Sequence, residues 1–238
     1  MANSLRRSWL LVSPLAENWF RDALNHRPDV LVVDLTGIVS ESRKRQAQNL
    51  ARNVMREGVG DTLVFAQVDK EYLSSDLESV VWPSLAGVII SRLATSNEVL
   101  VCDRELVRLE QGRGLESNSL KIVASLDNAQ GNHNAMEIAT SSKRLWGITL
   151  GRVDLEMDLG PEPSGEIHLM PYLMQRLIII ARATRLNPLG AWWRVPARGL
   201  VATPADTFQA AVRGRVLGFK GSLCARGSQV AALNEAYG

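Results

Sequence analysis

Short apolar runs and longer amphipathic stretches alternate along the whole chain. Residues 9–12, 30–35, 62–67, 87–90, 121–126, 145–150, 189–195 and 219–224 have the length and apolar content of strands. The run at 30–35 is almost entirely apolar, the pattern of a parallel strand buried on both faces. Between the runs, helical patterns fall at about 16–25, 40–56, 71–81, 97–110, 132–140, 167–186 and 203–216, and one more closes the chain at 228–236. Ser40 and Thr203 stand where N-caps belong, with Pro204 at the first helical position. Residues 111–114 read as a turn, and Gly160-Pro161-Glu162-Pro163-Ser164-Gly165 as a loop. Eight strands, seven helical crossovers and a closing helix predict a single α/β domain, a (β/α)8 TIM barrel spanning 1–238. A doubly wound open sheet is the alternative. It usually carries a glycine-rich loop after its first strand, and Ser13-Pro14-Leu15 is not one.

That arrangement gives two aspartates a shared address. Asp127 follows the fifth run directly, and Asp154 follows the sixth through Gly151, Arg152 and Val153. In neighbouring parallel strands, both carboxylates reach the C-terminal rim, where α/β folds place their chemistry. Two carboxylates without a His or Cys cluster suit a hard, oxygen-preferring cation such as Mg2+, with Mn2+ as a substitute. The competing reading is a helix cap and a solvated aspartate.

Composition narrows the partners. The 238 residues are 46% apolar and 22% charged, a globular balance. A net charge of +2 gives no ground for expecting nucleic acid or an anionic membrane as partner. No stretch reaches the roughly 20 apolar residues of a membrane span. The charged start and short apolar run at 6–12 imitate a signal peptide, but Pro14 ends the run early, so it reads as the first strand. Cys102 and Cys224 form neither a disulfide framework nor a zinc motif, and read as small buried hydrophobes in a cytoplasmic protein.

The order of segments resembles the citrate lyase beta-subunit / HpcH–HpaI aldolase superfamily over most of the chain. Arg7-Ser8-Trp9-Leu10-Leu11-Val12-Ser13-Pro14 is similar to its opening strand, and Asp29-Val30-Leu31-Val32-Val33-Asp34-Leu35 to its second. Ala124-Ser125-Leu126-Asp127-Asn128-Ala129-Gln130-Gly131 is similar to A-L-I-E-T-A-x-G. Leu150-Gly151-Arg152-Val153-Asp154-Leu155, with Asp158-Leu159-Gly160, is similar to L-G-x-x-D-L and its trailing D-x-G. Gly218-Phe219-Lys220-Gly221 and the segment from Gln229 to Asn234 resemble the family's last strand and the stretch after it.

The resemblance implies a TIM barrel holding Mg2+ at the positions of Asp127 and Asp154. It implies a 2-oxo or 3-hydroxy acid, or its CoA thioester, as substrate, and C–C bond cleavage or formation through a metal-stabilised enolate. It also implies a homo-oligomer, and a C-terminal extension that this chain is expected to lack. Several positions depart from the family pattern. Asp127 replaces a glutamate, and Ala66 aligns with the arginine that grips the substrate. Thr36-Gly37 replace an acidic pair, Ile90-Ser91-Arg92 a lysine region, and Ala225-Arg226 a His-Pro.

Arg152 and Arg92 are therefore the candidate catalytic cations. Gln67 and Asp34, at strand ends, are the candidate substrate contacts, Asp34 with loop capping as its alternative role. Arg7 precedes its strand and is expected at the opposite end, supporting stability. His133 reads as a helix-surface histidine rather than a general base, and His26 and His168 are scattered. One of Trp192 and Trp193 is expected in the layer between barrel and helices. The basic run Arg43-Lys44-Arg45 reads as a solvated helix face. The alternative to a lyase is a repurposed barrel that acts as a binding or assembly subunit.

Overall fold

The computed structural model describes residues 6–38, 40–57, 62–160, 169–193 and 202–238, without the side chains of Glu57, Arg152, Val153, Glu156 and Leu169. Eight parallel strands run in the order β7-β6-β5-β4-β3-β2-β1-β8. They are β1 (Ser8–Val12), β2 (Val30–Asp34), β3 (Leu63–Asp69), β4 (Leu85–Ser91), β5 (Lys121–Ser125), β6 (Leu145–Thr149), β7 (Asn187–Leu189) and β8 (Ser222–Cys224). The edges meet through a bridge between Leu189 and Gly221, with Lys220 N–H donating to the Pro188 carbonyl at 2.9 Å and Gly190 N–H to that of Gly221 at 2.8 Å. The fold is thus the expected (β/α)8 barrel.

Period-two alternation sorts the strand residues into two cores. Trp9, Val30, Val32, Phe65, Ile89, Val123 and Leu189 fill the barrel. Leu10, Leu31, Val33, Val64, Ala66 and Val68 face outward, onto the helices. Those helices are α1 (Trp19–Asn25), α2 (Glu41–Glu57), α3 (Leu73–Val80), α4 (Ser96–Arg113), α5 (Ala129–His133), α6 (Ala135–Thr140), α7 (Arg152–Leu159), α8 (Leu169–Thr184), α9 (Pro204–Leu217) and α10 (Val230–Tyr237). Among the described residues, no helix is long and apolar enough to cross a membrane.

Four expectations need correction. Strand seven lies at Asn187–Leu189, not at 189–195. Beyond it the chain leaves the sheet, and Trp192 N–H donates to the Ala210 carbonyl of α9. Residues 111–113 continue α4, and Gly114 is its left-handed C-cap at φ 64°. The helix expected over 132–140 is two short ones meeting at Asn134, whose side-chain amide donates to the Ala94 carbonyl at 2.8 Å. Within the basic run, Arg43 and Arg45 are exposed but Lys44 is 3% exposed. Its ammonium donates to Asp76 Oδ2 at 2.8 Å and to the Leu35 carbonyl at 2.6 Å. Lys44 sits on the inward side of α2, where only a paired charge is tolerated.

Arg7, the cysteines and His133 lie where expected. Arg7 is at the N-terminal end of the barrel in a forked pair with Asp29, at 2.8 and 3.0 Å. Both cysteines are buried and free. Burial pushes the Cys224 thiol up to about 12. His26 and His133 are exposed, while the stretch 161–165 and His168 lie outside the described residues.

Candidate functional site at the barrel mouth

At the C-terminal rim a cavity of about 250 Å3 reaches from the ends of β5 and β6 across to β8, α9 and α10. Its lining contains Asp127, Asp154, Gln67, Ser125 and Thr149 on one side. Strand geometry sets which residues reach it. Leu11, Gln67 and Leu223 lie on the barrel's inner face, two residues along from Trp9 and Phe65 or paired with Trp9. Asp127 follows β5 by two residues.

Asp127 is 4% exposed and tightly held. Its Oδ2 accepts the Arg92 backbone N–H at 2.7 Å. Its Oδ1 accepts the Ser125 hydroxyl, and the Gly151 N–H is a further backbone donor. A Cβ at Gly151 would stand 2.1 Å from Asp127 Oδ1, so only glycine lets the start of α7 come this close. Gly131 does the same for α5: a Cβ there would meet the Leu93 carbonyl at 2.0 Å. Burial pushes the Asp127 carboxyl above its usual range. The Ser125 and Arg92 hydrogen bonds oppose the shift, and the charge of Asp154 adds to it.

Asp154 is exposed, in the first turn of α7, where a negative charge is favoured by the helix dipole. Asp158, one turn on, accepts the Ala129 N–H at 2.7 Å and ties α7 to α5.

The remaining sequence candidates separate. Gln67 lines the cavity. Asp34 does not: its Oδ1 accepts the Thr36 N–H at 2.9 Å and the Thr36 hydroxyl at 2.6 Å, which is loop capping. Burial raises its carboxyl despite those bonds, with Asp154 adding to the rise. Arg92 offers the site its backbone, while its guanidinium turns to Asp69 in a close ion pair and toward Glu71 at 3.9 Å. Its φ of 56° is unusual for a non-glycine residue. Asn128 holds it there, its side-chain amide donating to the Arg92 carbonyl at 3.2 Å. The side chain of Arg152 lies outside the described residues. Ala66, expected at the position of an anion clamp, points outward into the helix layer, and the inward neighbour is Gln67. Trp193 lines the cavity and is nearly buried. Composition gave no sign of Ser125, Thr149 or Gly151. Their signal is positional: each stands at or just past the end of a strand that leads to an aspartate.

The donor set fits a hard cation. All its groups are oxygens, and Asp127 is a buried carboxylate with no ion pair to a described side chain. No group of three or more His, Cys, Asp or Glu capable of holding a metal occurs among the described residues. A two-carboxylate site completed by water and substrate oxygens is the pattern of Mg2+ rather than of Zn2+.

Fold and site together define a (β/α)8 barrel with an acidic, oxygen-donor mouth. A model of the family HpcH/HpaI aldolase/citrate lyase matches residues 7–226, and the chain belongs to that family. The citrate lyase subunit beta-like protein of Deinococcus radiodurans is 30% identical over 226 residues, covering 89% of this chain and 72% of that one. Citrate lyase subunit beta of Haemophilus influenzae is 30% identical over 166 residues, which cover 68% of this chain. That match spans 57% of the relative's own length. The solved citrate lyase beta subunit of M. tuberculosis, complexed with oxaloacetate and magnesium, superposes with a TM-score of 0.73 at 18% identity, over 98% of this chain and 97% of that one. At that identity the likeness is one of fold.

Proposed function

We propose that this protein is a Mg2+-dependent C–C bond lyase or aldolase acting on a small 2-oxo or 3-hydroxy acid, or on its CoA thioester. The observation that carries the reading is Asp127, a buried carboxylate without a described cationic partner, facing a cavity that Asp154 also lines. Membership of the family and the oxaloacetate and magnesium in the M. tuberculosis neighbour support it.

Asp127 and Asp154 would hold the cation. Held there, it would supply Lewis-acid polarisation of a substrate carbonyl oxygen, which favours breaking or making the adjacent C–C bond. Ser125, the Arg92 N–H and the Gly151 N–H fix the Asp127 carboxylate. Gln67 offers an amide to a substrate oxygen. In this reading Arg92 is a positioning residue, and Arg152, two residues before Asp154, is the candidate cation for the substrate's carboxylate. Asp34 supports the rim through Thr36. The reading brings with it a cytoplasmic homo-oligomer.

The test is calorimetric titration of Mg2+ with and without pyruvate or oxaloacetate, on wild type and Asp154→Ala. Mg2+ binding that strengthens with the oxo acid and disappears in the variant is the expected result. No binding by wild type at millimolar Mg2+ would sink the lyase. The second reading, a repurposed barrel, would then stand, favoured by the commitment of the Arg92 guanidinium to Asp69.

A further inference from the structure

Opposite the carboxylates, the cavity changes character. Leu11, Leu223 and Cys224 from β1 and β8, Ala191 and Trp193 beyond β7, and Leu233 from α10 make an apolar wall. It wraps over the end of β8 into the layer between the barrel and α9. The polar groups on this side are engaged with one another. Gln229 Nε2 donates to Thr207 Oγ1 at 3.2 Å, the Thr207 hydroxyl to the Thr203 carbonyl at 2.9 Å, and the Arg226 N–H to Gln229 Oε1 at 3.3 Å. At the cavity floor, the Thr149 hydroxyl donates to the Leu189 carbonyl at 3.0 Å. The charged side chains that line the cavity, among the described residues, are Asp127 and Asp154, and both are negative.

With Mg2+ held by the two carboxylates as proposed above, a ligand with an anionic head and an uncharged tail would match this two-ended lining. We infer that the site selects 2-oxo acids whose substituent is a small aliphatic group, and discriminates against dicarboxylates. This inference rests on the function proposed above. The head oxygens lie toward Asp127, Asp154 and Gln67, and the alkyl group against Leu223, Trp193 and Leu233. A second carboxylate would have to give up water against an apolar wall, where an unpaired charge is strongly disfavoured. An alkyl group gains there, by about 4-fold in affinity for each CH2 buried.

The experiment is calorimetric titration, at saturating Mg2+, of pyruvate, 2-oxobutanoate, 3-methyl-2-oxobutanoate, oxaloacetate and 2-oxoglutarate. The expected order has affinity rising from pyruvate to 3-methyl-2-oxobutanoate, with oxaloacetate at least about 10-fold weaker than the latter, the scale of pocket discrimination. Leu223→Lys, checked for folding by circular dichroism, should shift that ratio at least about 10-fold toward oxaloacetate. Oxaloacetate or 2-oxoglutarate binding wild type as tightly as the aliphatic acids would overturn the inference and leave the lyase reading intact. Binding of none of the five acids would overturn the inference, together with the free 2-oxo acid form of the lyase reading. The wild-type series decides the matter even if the variant does not fold.

Discussion

At the scale of single residues, the site turns on one buried carboxylate. Burial raises the Asp127 carboxyl above its usual range. The folded protein therefore holds that proton to a higher pH than the unfolded chain does. The sign comes from linkage: without metal, Asp127 costs no stability below its unfolded pKa. The cost grows as pH rises through the folded pKa and is constant above it. A bound cation offsets this cost by favouring the ionised form, so proton and metal compete. If Asp127 holds Mg2+ as proposed, the gain in melting temperature that the ion produces should be full at neutral pH. It should decline on acidification at a pH above the ordinary aspartate range of about 3.9. A melting series at fixed Mg2+ across pH 4–8 checks this, and an unchanged gain down to pH 4 would contradict it. The aspartates of the site were legible because they follow apolar runs. The inward position on β3 was harder to read. Alternation has a period of two, so a slip of one residue exchanges Gln67 for Ala66 and turns a cavity-lining amide into a buried methyl. Lys44 shows the same limit: three basic residues in a row look solvated, yet on a helix they point in three directions, and one of them faces Asp76.

At the scale of elements, the joint between α4, β5 and β6 is anchored by a buried ion pair as well as by the apolar packing of Leu106, Leu109, Leu120 and Leu145. Arg144, just before β6, is 2% exposed and makes a bidentate pair with Glu110 of α4, at 2.8 and 2.6 Å. Its Nε reaches Asp103 Oδ1 at 2.7 Å. Glu110 also accepts the N–H groups of Asn118 and Leu120 at 3.0 and 3.1 Å, which fixes the turn into β5. Burial alone would raise the Glu110 carboxyl, but Arg144 and these donors outweigh it and hold it below its usual range. Arg144→Met leaves the carboxylate buried without its cation and should cost about 3–5 kcal/mol. That corresponds to a fall in melting temperature of about 10 °C for a chain of this size. Adding Glu110→Gln should recover part of the loss, since the buried charge is then gone. A double variant no more stable than Arg144→Met would rule out the uncompensated charge as the cause. Elements with both a run and a cap, such as α9 behind Thr203 and Pro204, were legible to within a residue. Strand seven was not. Most of its apolar signal, at 191–193, belongs to a segment packed on α9, while the strand itself contains Pro188, which weakens a sequence case for sheet. It tolerates the proline because it is short and lies at the closing seam.

At the scale of the whole molecule, the barrel is uneven, and the cavity lies across its weakest line. β3 and β4 pair over six positions, whereas β6 and β7 pair over three. β7 meets the β8 side through one bridge and the two hydrogen bonds donated by Gly190 and Lys220. Local opening follows local stability, so the seam should open before the rest of the sheet. In amide hydrogen exchange, Gly190 and Lys220 should exchange faster than Ile89 and Val123 of the central strands. The proposed ligand pose adds a second expectation. Ala191 and Trp193 approach the cavity from the β7 side, and Leu223 and Cys224 from the β8 side. A ligand in contact with both sides bridges the seam without any new hydrogen bond in the sheet. Mg2+ with 3-methyl-2-oxobutanoate should therefore slow exchange at Gly190 and Lys220 at least several-fold, by the mass action of a ligand that binds only the closed form. Exchange at Val32 and Ile89, remote from the seam, should stay unchanged as long as they open by a separate local route. Slowing confined to Gly151 and the start of α7 would place the ligand at the carboxylates alone, and would separate the metal end of the cavity from its apolar wall.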